Sequence, residues 1–178
     1  MLFLSVFRKR PLSEKRQRKL LQKNNLDDLP VLHLIGEIVP CSIVDIYDGD
    51  TITVVYIYRK TPLKIKLRLL GIDAPEIKGK DVTDLEHEVA IKARDLLRKW
   101  INLTDPEKIY LKLKQFDKYG GRFLGDILIK TSAKKQVPEY EVLSTLLLET
   151  GVVAPYSGAK KLEWTTKRLR EIKKLADS

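Results

Sequence analysis

The chain has 178 residues and a hydrophobic fraction of 43%, which is enough for a packed core and excludes an intrinsically disordered protein. Its net charge of +10 favours polyanionic partners, with nucleic acid first. A single cysteine, Cys41, excludes an intramolecular disulfide and is expected to be a small core residue. No apolar run reaches the roughly 18 residues that a membrane span requires.

Residues 1–30 are predicted to be a basic N-terminal arm. They contain eight Lys or Arg and three acidic residues, a net charge of +5. Their apolar start precedes the basic residues, which is the reverse of a secretory signal, so we expect no cleaved signal peptide. The arm is either flexible or a short helix at residues 12–23. Its role stays open between a solvated segment, a nucleic-acid tether, a nuclear address and an anionic-membrane contact.

Residues 31–178 carry the periodicity of one folded domain. Strands are predicted at residues 43–47, 51–58, 63–69, 109–116 and 122–129. A helix is predicted after the third strand, from the capping-box sequence Thr83–Glu86 to Trp100, and two more follow at residues 142–147 and 162–175. This order suits an α+β, mainly β fold, a five-stranded OB-type barrel with three helices, although other small α+β folds stay open on this evidence.

Four carboxylates flank the hairpin of the second and third strands. They are Asp48, Asp50, Asp73 and Glu76. Antiparallel pairing brings the start of one strand beside the end of the next, so the four should converge at one barrel end. Crowded carboxylates oppose one another's ionisation, and a hard cation such as Ca²⁺ or Mg²⁺ would relieve this. Pro75 restricts Ala74 to extended backbone, which could turn the Ala74 carbonyl toward such a metal. The lack of a Cys/His cluster argues against zinc.

Arg68 lies on the basic face of the third strand, five residues before Asp73. Metal, carboxylate and guanidinium together suit phosphoryl transfer. The alternatives are a plain turn with Gly49 at positive φ and a solvated stripe of Lys64, Lys66 and Arg68. An EF-hand loop is excluded because its later ligands are missing.

Three motifs taken together resemble those of the staphylococcal nuclease (thermonuclease) family. They are residues 48–51, residues 68–76 and residues 117–122, and the likeness extends over residues 36–176. The resemblance implies an OB-type barrel with three helices. It also implies a Ca²⁺-dependent endonuclease that acts on DNA and RNA and leaves 3′-phosphate and 5′-hydroxyl ends.

The resemblance assigns roles motif by motif. The implied calcium ligands are Asp50, Asp73 and the Ala74 carbonyl, with Asp48 acting through water. The implied catalytic residues are Glu76, which orients or deprotonates the attacking water, and Arg68 and Arg122, which bind phosphate and stabilise the transition state. The implied substrate contacts are Lys118, Tyr119 and Tyr156, and a surface aromatic is an alternative for Tyr156.

The chain departs from the family pattern at two positions of the site. Ala74 stands where the bacterial nuclease has threonine, which a backbone ligand should tolerate. Gly121 is one extra residue before Arg122, so the position of that guanidinium depends on how the loop absorbs it. The rival hypothesis is a catalytically silent OB-fold module that binds nucleic acid or serves as a scaffold. We expect a monomer in the cytoplasm or nucleus, and the sequence is also compatible with secretion.

Overall fold

A computed structural model of the chain describes residues 13, 15–16, 19, 35–58, 60–116, 121–132, 138–159, 161 and 163–177. The chain divides into two units, Met1–His33 and Leu34–Ser178. Every strand that the structure describes belongs to the second unit. The predicted arm falls almost wholly outside the described residues, as do Lys118 and Tyr119.

The described strands are β1 (Ile38–Ile46), β2 (Thr51–Tyr58), β3 (Thr61–Leu69), β4 (Ile72–Asp73), β5 (Ile109–Phe116), β6 (Phe123–Ser132), β7 (Glu139–Val142) and β8 (Ala154–Pro155). The helices of the second unit are α1 (Asp84–Leu103), α2 (Leu143–Glu149) and α3 (Thr166–Asp177), with a 3₁₀ turn at Pro106–Lys108.

Five strands close a barrel in the order β3-β2-β1-β5-β6. Neighbours are antiparallel except where β3 meets β6 in parallel, with Arg68 opposite Leu124. On β2 the side chains of Ile52, Val54 and Tyr56 point into the core, and the residues between them face outward, as the alternation of the sequence requires. The predicted five-stranded OB-type barrel with three helices is confirmed.

The helices cover the barrel with the faces that their periodicity predicts. Helix α1 buries Val89, Ala93 and Leu97, which are spaced four residues apart on one face. Helix α3 packs against α1 and buries Leu169 and Ile172. None of the helices in the described part of the chain is long and apolar enough to cross a membrane.

Three short strands were not predicted. Strands β4 and β8 are two residues each and pair with one another, and a pair of this length has no periodicity to detect. Strand β7 adds to the edge of the sheet beside β6, where the sequence had suggested only that a helix begins at Val142. That helix begins at Leu143 and ends before Gly151, whose φ of +74° is the left-handed conformation that commonly follows the end of a helix.

Candidate active site

The loop before β2 folds around the carboxylate of Asp48. Its Oδ1 accepts the backbone N–H groups of Asp50 at 2.9 Å and Thr51 at 2.6 Å. The plain-turn alternative required positive φ at Gly49, and Gly49 is not one of the glycines with positive φ in the described part of the chain. The glycine is needed for packing instead, because a Cβ at Gly49 would lie 2.8 Å from the Cβ of Ala74.

Asp50 ties this loop to the segment that follows β4. Its Oδ2 accepts the backbone N–H of Ala74 at 2.8 Å, and its Oδ1 accepts the hydroxyl of Thr51 at 2.9 Å. Asp48, Asp50 and Asp73 are all buried, with relative exposures of 5%, 2% and 1%. The hairpin thus brings the aspartates on its two sides to one end of the barrel, as antiparallel pairing predicted.

Arg68 occupies the position between the two strand ends. The residue is buried, pairs with Thr51 across the hairpin, and forms ion pairs with Asp50 and, at 2.8 Å, with Asp73. Burial alone would lower the pKa of Arg68, but the two carboxylates raise it above its ordinary value. The guanidinium carbon also lies 5.8 Å from the centre of the Tyr156 ring. Arg68 is therefore a fixed, fully charged group and does not belong to a solvated stripe.

Glu76 is half-exposed, and Lys161 links its carboxylate to that of Asp73. Its side chain has a relative exposure of 41%, and its carboxylate accepts a hydrogen bond from the Lys161 ammonium at 2.5 Å. Its backbone N–H donates to Oε1 of Glu86 at 3.1 Å. The backbone of Glu76 is thus anchored to α1, while its carboxylate stays accessible to water.

Lys161 and Glu86 are site residues that the sequence did not indicate. Lys161 Nζ also contacts Asp73 at 3.0 Å, and it reaches the site from a loop 85 residues beyond Glu76, so no local pattern could reveal it. Glu86 was predicted only as part of a capping box. Thr83 forms the expected cap by accepting the N–H of Glu86 at 3.2 Å, but the carboxylate of Glu86 turns to Glu76.

The chemistry of the cluster fits a hard divalent cation in part. Oδ2 of Asp73 is buried and has no hydrogen-bond partner, and carboxylate oxygens are the ligands that Ca²⁺ prefers. Burial first, and the Asp50 carboxylate second, raise the pKa of Asp48 to about 7, with a smaller contribution from Glu76. No group of three or more His, Cys, Asp or Glu residues within the described ranges is arranged to hold a metal. The carboxylates available as direct ligands are those of Asp50 and Asp73, so carbonyl and water oxygens would complete the coordination shell of the cation.

Arg122 lies in an adjoining cleft. Gly121 takes a φ of +82°, a left-handed conformation that glycine adopts readily, and the space at its Cβ position is open. The cleft has a volume of about 400 Å³, and its walls include Arg122, Lys66 and Thr51. Thr51 connects the cleft to the aspartate cluster, because it lines the cleft while its hydroxyl donates to Asp50 and its N–H donates to Asp48.

Most of the predicted site residues therefore meet at one end of the barrel. The structure brings together Asp48, Asp50, Arg68, Asp73, Ala74, Glu76 and Tyr156. Tyr156 is half-buried, and its backbone N–H donates to the Gly71 carbonyl at 2.9 Å, so it lies beside Arg68 and is not an isolated surface aromatic. Arg122 is in the neighbouring cleft, and Lys118 and Tyr119 lie outside the described residues.

The barrel and its acidic, arginine-containing end define a nuclease-like OB-fold domain. A model of the family described as staphylococcal nuclease homologue matches residues 66–178, more than half of the chain. The chain belongs to the staphylococcal nuclease family. The match includes Arg68, Asp73, Glu76 and Arg122, and it begins after the loop that holds Asp48 and Asp50. No curated protein matches the sequence.

Proposed function

We propose that this protein is a Ca²⁺-dependent nuclease that hydrolyses phosphodiester bonds of DNA or RNA. In this proposal it acts endonucleolytically and leaves 3′-phosphate and 5′-hydroxyl ends. The observation that carries the proposal is the buried Arg68, held by Asp50 and Asp73 beside the accessible Glu76. A fixed guanidinium of this kind binds phosphate with two parallel hydrogen bonds, and its charge is stronger in a water-poor site.

The candidate ligands of Ca²⁺ are the carboxylates of Asp50 and Asp73 and the carbonyl of Ala74, with Asp48 behind them through water. The unpartnered Oδ2 of Asp73 supports this assignment, because a buried carboxylate oxygen without a donor is costly unless a cation satisfies it. When bound, the cation would polarise the scissile phosphate and neutralise its charge.

The protein side chains divide the remaining work. Glu76 accepts a proton from the attacking water or orients it, and its anchored backbone keeps the carboxylate in position. Arg68 and Arg122 neutralise the charge that develops on the phosphate oxygens. Tyr156, beside Arg68, lines the nucleotide pocket, with Lys118 and Tyr119 as further substrate contacts.

The test is cleavage of single- and double-stranded DNA and RNA in Ca²⁺, Mg²⁺ or EDTA. We expect cleavage in Ca²⁺, far less in Mg²⁺, whose small octahedral shell suits the site poorly, and none in EDTA. Mass spectrometry of the products should show 3′-phosphate ends. Undiminished cleavage in EDTA would contradict the metal-dependent reaction.

A second candidate is a binding module without catalysis, and one observation favours it. Arg68 and Lys161 already neutralise the carboxylates of Asp50, Asp73 and Glu76. If the ion pairs of Arg68 and Lys161 persist in solution, these side chains occupy the carboxylate oxygens that Ca²⁺ would need. Isothermal titration with Ca²⁺ separates the two candidates: no Ca²⁺ binding, with nucleic-acid binding but no cleavage in any cation, would support the module.

A further inference from the structure

The cleft beside Arg122 is built on the outer face of three barrel strands. Asp45 of β1 pairs with Thr53 of β2, which pairs with Lys66 of β3, so the three form one row across the sheet. One row closer to the acidic cluster, Thr51 pairs with Arg68, and the Thr51 carbonyl accepts the N–H of Tyr47 at 2.9 Å. The cleft therefore continues directly from the proposed phosphate site.

The two sides of this cleft differ in chemistry, because Lys66 of β3 lines one side and Asp45 of β1, with Tyr47 directly after β1, lines the other. Lys66 and Asp45 are exposed and lie two strand spacings apart, roughly 10 Å. Tyr47 is 49% exposed and lines the same space. A volume of about 400 Å³ is in the range of small-ligand sites. A nucleotide has the matching layout, because it carries an anionic phosphate at one end and a flat π face at the other.

We propose that this cleft is a second nucleotide subsite, which binds the nucleotide on the opposite side of the scissile phosphate from Tyr156. Its phosphate lies at Lys66 and its base stacks on Tyr47, while repulsion by the Asp45 carboxylate fixes this direction. The inference rests on the proposed nuclease function, since it takes the scissile phosphate to lie at Arg68. A base stacked on Tyr47 has left its pairing partner, so the subsite binds single-stranded nucleic acid.

The first test uses Tyr47→Ala and two fluorescent single-stranded DNA tetranucleotides, one with bases and one abasic, bound in EDTA so that nothing is cut. We expect Tyr47→Ala to weaken binding of the tetranucleotide with bases by at least about fivefold and to leave binding of the abasic one unchanged. The control is Tyr140→Ala, because Tyr140 packs on Tyr110 and is not among the residues that line the cleft. Equal losses for both tetranucleotides would overturn the stacking role.

The second test compares two lysines of the same strand. Lys66→Gln should make the negative slope of log binding constant against log salt concentration shallower by about 0.7, the value for one phosphate contact to a single strand. Lys64, two residues along β3, is also exposed but does not line the cleft, so Lys64→Gln should change the slope less. Equal slopes for the two variants would reduce the cleft to general electrostatic attraction and overturn the subsite.

Wild-type cleavage in Ca²⁺, measured alongside, keeps this inference distinct from the proposed function. If the wild type never cuts but binding still depends on Tyr47 and on the base, the nuclease proposal fails and the binding site stands. If the wild type cuts and Tyr47→Ala binds and cuts as the wild type does, the subsite fails and the nuclease proposal stands.

Discussion

Replacement of Arg68 by lysine is the most direct test of the site, because Arg68 is buried between two aspartates and is proposed to act on the scissile phosphate. The guanidinium contacts Asp50 and Asp73 at once, the second at 2.8 Å, and has little exposure to water. A lysine ammonium keeps the charge but is a single point, so it cannot reproduce both contacts in one plane. We therefore expect Arg68→Lys to lose at least one charge-assisted hydrogen bond in a buried setting.

The size of the effect follows from that loss. A hydrogen bond to a charged group contributes about 1.5–3 kcal/mol to the free energy of unfolding. For a domain of this size, 1 kcal/mol shifts the melting temperature by about 2–4 °C, so the melting temperature should fall by roughly 3–12 °C in EDTA. The cleavage rate should fall by at least about 10²-fold, the scale for removal of one preorganised electrostatic donor.

The assay is a thermal melt beside a cleavage time course at 20 °C, where the variant is still folded. Arg98→Lys is the matched control, because Arg98 pairs with Asp95 at 2.6 Å on an exposed helix surface. Such pairs contribute little, so its melting temperature and cleavage rate should stay close to wild type. If Arg68→Lys melts and cuts like the control, Arg68 neither stabilises the aspartates nor acts on phosphate, and the proposed mechanism is wrong.

The remaining predictions concern the other groups of the site and the arm. Glu76→Gln should lower the cleavage rate by at least about 10²-fold and keep Ca²⁺ binding measured by calorimetry, and its melting temperature should change little because the ion pair to Lys161 is half-exposed; a wild-type rate would remove Glu76 from the reaction. Arg122→Lys should slow cleavage to a similar degree, and unimpaired cleavage would mean that the loop at Gly121 has displaced the guanidinium. Because the pKa of Asp48 is raised to about 7, the folded chain binds that proton more tightly than the unfolded chain does. Its contribution to stability is therefore complete below the ordinary carboxyl pKa and is lost as pH rises through about 7. In EDTA, Asp48→Asn should accordingly raise the melting temperature more at pH 8 than at pH 5, and an equal change at both would contradict the raised pKa. Deletion of residues 1–30 should weaken nucleic-acid binding and flatten its salt dependence while turnover at saturation stays nearly constant; an unchanged salt slope would make the arm a solvated segment.

Much of the site was visible in the sequence because its residues lie next to features with a clear period. The alternating strand that ends in Arg68 and the apolar strand that starts at Thr51 predict a hairpin, and a hairpin by itself brings Asp50 near Asp73. The position of Gly49 was also visible, but its reason was not. A positive φ was the local explanation, whereas the structure shows contact with Ala74, which is 25 residues away in sequence.

The sequence by itself determined the five barrel strands, the three helices and the end at which the acidic residues gather, because strand alternation, helical spacing and capping are properties of neighbouring residues. These patterns left other small α+β folds open, and closure of the strands into a barrel was implied by the resemblance of the three motifs. Only the tertiary structure decided which charges neutralise one another. Arg68 bonded to two aspartates, Lys161 reaching Asp73 and Glu76, and Glu86 turned from its own helix end to the backbone of Glu76 all depend on where separate segments meet. A buried charge is costly when it is left unpaired, so the fold places a partner beside it. That partner comes from a distant segment of the chain, and no periodic pattern in the sequence indicates which segment it is.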